Sequence, residues 1–414
     1  MTAPGPRLAP SARYLLLGAT AFLALGGLLM IFSASSVTDF KAFSDSMFHV
    51  KRQAVFLVLG ILALIVASRM TVGVVRRVGL AMLVSADAML VLVLLMGVGK
   101  WGSVRALDLF GVATLQPAEM ARLGCVLVMA DLFADRIRRP RPVKDDLLKI
   151  ALIAGVPFGL VLIQPDMGAA VSILVAVLIV MVLGGLSGKW IAATVAGLGI
   201  GLAFLLPLAA YRSARFAAFL DPNKDPSGVG YQILQARLSL GSGGIFGLGL
   251  GMSAEKWGYL PAPYTDFILP IIGEELGLLG ALSVVVAFGV FCYAGIRISL
   301  AARDDYARIV AGGLTVTIVT QALINMASVT ALIPVAGEPL PLVSYGGTSL
   351  FFTMGCIGLI LAMTRGAERG VARQPARTIE KEGSASARSG ERRRNGRPRL
   401  SGIDGGRAGV GRRS

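Results

Sequence analysis

The chain has 414 residues, of which 55% are hydrophobic and only 15% charged, with a formal net charge of +16. Its mean hydropathy is +0.73. A water-soluble protein of this size cannot hide so much apolar side chain, because folded surface grows too steeply with mass. A polytopic membrane protein can.

A helix needs about 20 apolar residues to cross a bilayer. Such runs lie near Tyr14–Ser35, Ala54–Val74, Val78–Gly97, Pro117–Phe133, Leu147–Gln164, Ala169–Gly185, Trp190–Ala210, Phe267–Ile296, Arg308–Ser328 and Gly346–Thr364. They predict an all-α protein of about ten transmembrane helices, with "QPDMG" alone joining the fifth and sixth. The first run follows Arg7 and Arg13 and has no small-residue cleavage site after it, so it reads as a retained anchor. With the N-terminus inside, most Lys and Arg fall on the cytoplasmic side, including the group from Arg136 to Lys149. Both termini are then cytoplasmic, which requires an even number of spans.

Residues 365–414 carry 14 basic and 5 acidic side chains with no apolar periodicity. They read as a disordered cytoplasmic tail attracted to anionic headgroups, with no need for nucleic acid. Cys125, Cys292 and Cys356 all fall inside predicted spans, which argues against a disulfide framework. With His49 the sole histidine, a zinc site and a Ser–His–Asp mechanism are both disfavoured.

One outer connection is long, from Tyr211 to about Thr265. Loops of that length in a compact protein are usually functional. "DPNKDPSG" is a turn cluster, and Tyr231–Leu240 has helical spacing suited to the membrane surface. "GSGGIFGLGLG" offers bare N–H groups that can cradle phosphate. Arg212, Arg215, Lys224, Arg237 and Lys256 place five cations on the side where basic residues are disfavoured, pointing to an anionic ligand at the outer leaflet.

The loop leads into "YTDFILPIIGEEL", with carboxylates at Asp266, Glu274 and Glu275. On one helix, Asp266 and Glu274 stand about 12 Å apart along the axis. A retaining glycosidase pair needs about 5–5.5 Å and an inverting pair about 6.5–9.5 Å. The three acids are therefore not a dyad. Asp266 stands alone, either as a helix N-cap or as a single functional acid, and Glu274 and Glu275 require polar partners. Asp87 reads as a helix-packing partner, and Gln321 with Asn325 as interhelical hydrogen-bond glue.

Six segments occur in a telling order: "QPAEMAR", "QPDMG", "FLDPNKDPSGVGYQILQ", "GLGLGMSAEKWGYLP", "TDFILPIIGEELG" and "PLPLVSYGGTS". With "SAS" at Ser33–Ser35 and "KRQ" at Lys51–Gln53, they resemble the SEDS family of shape, elongation, division and sporulation proteins, from Ser33 to about Arg365. "IGEELG" and the segment before "YLP" are more similar to its cell-division branch than to its elongation branch.

The resemblance implies a ten-helix peptidoglycan glycosyltransferase of the bacterial cytoplasmic membrane, working at the division septum. It would polymerise lipid II with a class B penicillin-binding protein and other divisome proteins as partners. The family's catalytic aspartate falls on Asp266, its Glu–Lys pair on Glu119 and Arg122, and its "QPDLG" aspartate on Asp166. Arg105, Ser344 and Tyr345 join these and the five loop cations as substrate contacts. The chain departs from the pattern at Tyr264, where histidine is usual, and at Ala118, Leu269 and Ala106.

One acid suits that chemistry. A diphosphate leaving group needs neutralisation rather than a general acid, and the acceptor hydroxyl needs a base worth about 10²–10⁴-fold. The expected mechanism uses Asp266 as base and inverts the anomeric carbon. With no metal cage in the sequence, any Mg²⁺ or Mn²⁺ would be shared with substrate diphosphate. The alternatives are a lipid II flippase, which should carry its charges near the midplane, and a non-catalytic divisome scaffold.

Overall fold

The computed structural model describes residues 11–96, 98–100, 103–109, 113–164, 166–205, 215, 217–224, 228–261 and 263–372. Two units are distinguished, Met1–Ala367 and Glu368–Ser414. Among the described residues every predicted span is a helix. They are α1 (Ser11–Phe43), α2 (Phe48–Arg69), α3 (Val72–Met96), α4 (Pro117–Arg138), α5 (Val143–Ile163), α6 (Met167–Leu183), α7 (Gly188–Leu205), α9 (Ile268–Ala301), α10 (Asp305–Val329) and α11 (Gly347–Ala372). An eleventh, α8 (Val229–Ser242), fills the predicted helical stretch of the outer loop.

Seven of these are long and apolar enough to cross a membrane on their own terms, and α6 and α7 are shorter. The exception is α4, whose ends carry too much charge. Its reason is position. α4 packs against α3, α6 and α10, and buries thirteen residues including Glu119 and Arg122. At Gly124 a side chain would strike the Leu83 backbone of α3. A helix surrounded by protein does not need a lipid-solvated face. Its cytoplasmic end is held by ion pairs, Arg136 to Asp146 at 3.1 Å and Arg141 to Asp135 at 2.9 Å, with Arg138 bonded to Asp304.

Between α3 and α4 lies a small antiparallel sheet not anticipated from sequence, β1 (Val98–Lys100), β2 (Ser103–Leu109) and β3 (Ala113–Leu115), with β2 central. Strands this short give almost no alternation to read.

The helix α9 is broken. Gly277 sits at φ 68°, ψ −167°, and frees backbone groups that lipid cannot satisfy. The glycine-rich segment of the outer loop satisfies them. Leu248 N–H donates to the Glu274 carbonyl (2.9 Å) and Gly249 N–H to that of Glu275 (3.0 Å). Leu278 N–H in turn donates to the Gly244 carbonyl (2.9 Å). Two of the amides that the sequence offered to phosphate, those of Leu248 and Gly249, are thus taken by the helix break. Only glycine fits the closest approach, because a Cβ on Gly247 would meet the Glu275 carbonyl carbon at 2.5 Å.

The break also explains the two deep acids. Glu274 accepts from the hydroxyls of Ser239 (3.0 Å) and Ser253 (2.6 Å) and from Ala254 N–H (2.8 Å). Glu275 accepts from the Ser33 hydroxyl of α1 at 2.6 Å. Glu274 thus fastens the loop and α8 to α9, and Glu275 fastens α1 to it. So α8 packs on the broken helix through Ser239, which also bonds the Pro270 carbonyl (3.0 Å). Asp87, expected to be a packing partner within the bundle, has its Oδ1 buried without a hydrogen bond.

Candidate functional site at the outer helix ends

Glu119 lies in the first turn of α4, and Asp166 is the N-cap of α6, accepting from Ala169 N–H at 3.2 Å. Asp266 precedes α9, whose N-cap is Phe267. Asp266 is therefore not the N-cap, and that alternative from the sequence is withdrawn. With spans alternating in direction, these three N-termini share the outer side. Helix N-termini carry partial positive charge, a favourable setting for anionic groups.

Glu119 and Arg122 pair three residues apart on one helix face, as the spacing requires. Glu119 also accepts from the Ser349 hydroxyl of α11 at 3.1 Å. Arg122 faces a second acid, Glu338, at 3.8 Å. A small cavity of about 20 Å³ adjoins the pair, lined by Glu119, Arg122, Leu314, Thr317, Phe352 and Thr353.

The segment between α10 and α11 closes the site from the other side. Asn325 of α10 donates both to the Asp266 carbonyl (2.9 Å) and to the Glu338 carbonyl (2.7 Å). Gln321, one turn earlier, donates to the Glu338 carboxylate at 3.0 Å. The two amides are loop clamps rather than glue between helices. Ser344 donates to the Thr265 carbonyl at 2.6 Å, and Tyr345 N–H to the Tyr264 carbonyl at 2.8 Å. Gln53 of α2 locks the same segment by donating to the Ser344 carbonyl and accepting from Gly346 N–H, each at 3.3 Å. Leu342 is held at φ 67°, a region costly for a branched side chain and common where function holds strain. Three consecutive residues, Tyr264 to Asp266, are thus gripped through their carbonyls.

Beside this grip stands a feature that sequence reasoning dismissed. His49 Nδ1 is 2.5 Å from buried Asp39, and its ring lies tilted against Tyr264 (4.4 Å between centroids) and edge-on to Tyr345 (4.6 Å). The sole histidine helps to seat Tyr264.

The outer cations behave differently from one another. Arg215 donates to the Val335 and Ala336 carbonyls (3.0 and 3.4 Å), next to Glu338. The Lys256 ammonium is buried and bonds the Gly251 carbonyl. Arg237 is exposed on α8. Arg212 and the side chains of Arg105 and Lys224 lie outside the described residues, although Arg105 belongs to β2. Among the described residues no three His, Cys, Asp or Glu side chains converge as a metal set.

A family model described as cell cycle proteins, covering FtsW, RodA and SpoVE, matches residues 13–369. The chain belongs to this family. Among FtsW/RodA/SpoVE relatives, the probable peptidoglycan glycosyltransferase FtsW of Trichlorobacter lovleyi is 36% identical over 348 residues, 82% of this chain and 90% of that protein. Stage V sporulation protein E of Bacillus subtilis is 36% identical over 344 residues, 82% of this chain and 93% of the other. A solved peptidoglycan synthase complex, described as coordinating polymerisation and crosslinking, superposes with a TM-score of 0.69 at 25% identity. It covers 86% of this chain and 97% of its own. RodA of Thermus thermophilus gives 0.63 at 26% identity, covering 85% and 96%. A multi-pass, all-helical membrane protein of this family is therefore what the chain forms.

Of the site residues in this family member, sequence reasoning missed Glu338, Gln53 and the roles of Gln321 and Asn325. Glu338 did carry a signal, as the only charged residue in the apolar run "ALIPVAGEPLPLV".

Proposed function

We propose that this chain is a peptidoglycan glycosyltransferase that polymerises lipid II at the outer membrane face. In the step proposed, the acceptor sugar hydroxyl attacks the anomeric carbon of the donor. The bond from that carbon to the diphosphate breaks, and undecaprenyl diphosphate leaves with the electron pair. Asp266 takes the hydroxyl proton, and the carbon inverts. Arg122 and the outer cations are suited to neutralise the diphosphate. Mg²⁺ or Mn²⁺, where one takes part, arrives with the diphosphate and not on a preformed protein site.

The observation that carries this reading is the grip on Asp266. A base must be held within about hydrogen-bond reach of its proton, and here Asn325 and Ser344 fix the backbone of Asp266 and its neighbour from two directions. The partner we infer is a class B penicillin-binding protein at the division septum, a reading supported by the likeness to FtsW proteins and to a synthase complex that joins polymerisation to crosslinking.

The test is lipid II turnover by the purified chain, alone and with that partner, for wild type, Asp266→Asn and Asp266→Ala. Glycan product from wild type with a loss of about 10²–10⁴-fold in both variants is expected. Normal rates in the variants would remove Asp266 from the chemistry, and lipid II translocation without product would favour transport.

A further inference from the structure

Glu338 lies in the connection between α10 and α11 and is almost wholly buried, at 5% exposure. Its surroundings are built for it. Gln321 donates to its carboxylate and Asn325 to its carbonyl. Arg122 stands 3.8 Å from the same carboxylate oxygen that Gln321 binds. At the N-terminus of α6, a Cβ on Gly168 would lie 2.8 Å from Glu338 Cγ and 2.6 Å from the Ala336 carbonyl. Glycine there lets this acid lie flat against the start of α6, next to the Asp166 cap. Glu338 thus meets Arg122 of α4, the N-terminus of α6 and the Gln321 and Asn325 amides of α10.

We propose that Glu338 is a positioning residue for the polymerisation reaction, acting through Arg122. It shares that guanidinium with Glu119 and sets how much positive charge the site offers an anionic diphosphate. The inference rests on the glycosyltransferase reading for its substrate. When Glu338 is neutral, Arg122 answers to Glu119 alone and can turn toward substrate. When Glu338 is ionised, two carboxylates flank one cation, and the diphosphate is repelled.

The groups facing Glu338 decide where that change falls. Burial pushes its carboxyl up to about 8; Arg122 opposes the rise, and Glu119, Asp166 and Asp266 reinforce it. Arg215 adds a further cation on the carbonyls of Val335 and Ala336. A group titrating near 8 loses about nine-tenths of its protonated form between pH 7 and pH 9. Because the folded state holds this proton more tightly than the unfolded chain, folded stability falls as pH rises from about 4.5 through about 8.

The experiment uses the full chain in its active complex, as wild type, Glu338→Gln and Glu338→Ala, with lipid II turnover followed from pH 6.5 to 9.5. For wild type, kcat/KM should fall about tenfold between pH 7 and pH 9, mostly through KM. For Glu338→Gln, which keeps the shape and cannot ionise, that fall should shrink below about twofold. In parallel, the melting temperature in detergent should decline with pH for wild type more than for Glu338→Gln. An unchanged alkaline fall in Glu338→Gln overturns the proposal. So does an equal, pH-independent loss in both variants, which is what a merely structural residue would give. If wild type makes no glycan at all, the glycosyltransferase reading fails. The melting arm then judges Glu338 separately, and coincident pH dependences overturn its titration against Arg122.

Discussion

Replacing Asn325 with leucine tests whether the site is held together by one amide. The side chain is nearly isosteric, so packing within α10 changes little, while two hydrogen bonds disappear. The bond to the Glu338 carbonyl is buried, and the bond to the Asp266 carbonyl is only partly so. Orphaning a buried acceptor costs about 1–3 kcal/mol, and the half-exposed Asp266 carbonyl can recruit water at the lower end of that range. The sum is about 2–4 kcal/mol, read as a lower melting temperature in detergent. A shift of about 1 Å in a catalytic group costs on the order of 10²-fold, so kcat for lipid II polymerisation should drop about 10–100-fold with KM changed less. Asn325→Asp is the companion variant. It lacks both donors and adds a carboxylate beside Glu338 and Asp266, so it should be worse than leucine. An Asn325→Leu protein with normal turnover and normal melting would refute the idea that this amide holds the catalytic turn.

Exchanging the charges with Glu119→Arg plus Arg122→Glu should not restore activity, because the new acid would face Glu338 and the new cation would lose the Ser349 contact. Each single change breaks a buried pair, at about 3–5 kcal/mol, and the double variant should melt no higher than the better single one. Gly247→Ala should destabilise the chain by about 2–5 kcal/mol, from the positive φ of 81° together with overpacking against the Glu275 carbonyl and Gly277. Thermal melting checks this, and a variant as stable as wild type would show that the loop does not brace the break in α9.

The membrane character and the spans were legible in the sequence because each depends on local quantities. A run of apolar residues of sufficient length has few alternatives to a lipid-spanning helix. The ordered motifs likewise placed Glu119, Arg122, Asp166 and Asp266 correctly at the ends of spans. Even α4, the least apolar span, was visible in its central run.

What each polar residue does was decided only by the fold. Asp266 and Glu274 sit eight positions apart in the chain, yet one joins a cluster with Asn325 and the other a hydroxyl cage from Ser239 and Ser253. The glycine-rich loop looked suited to phosphate because bare amides look alike until their acceptors are known, and for Leu248 and Gly249 those acceptors proved to be the carbonyls freed at Gly277. His49 and Asp39, or Arg122 and Glu338, are partners across helices that no spacing rule connects. In a membrane, buried polar groups must find one another across the bundle, so local sequence fixes where helices run, and only their packing fixes which charges meet.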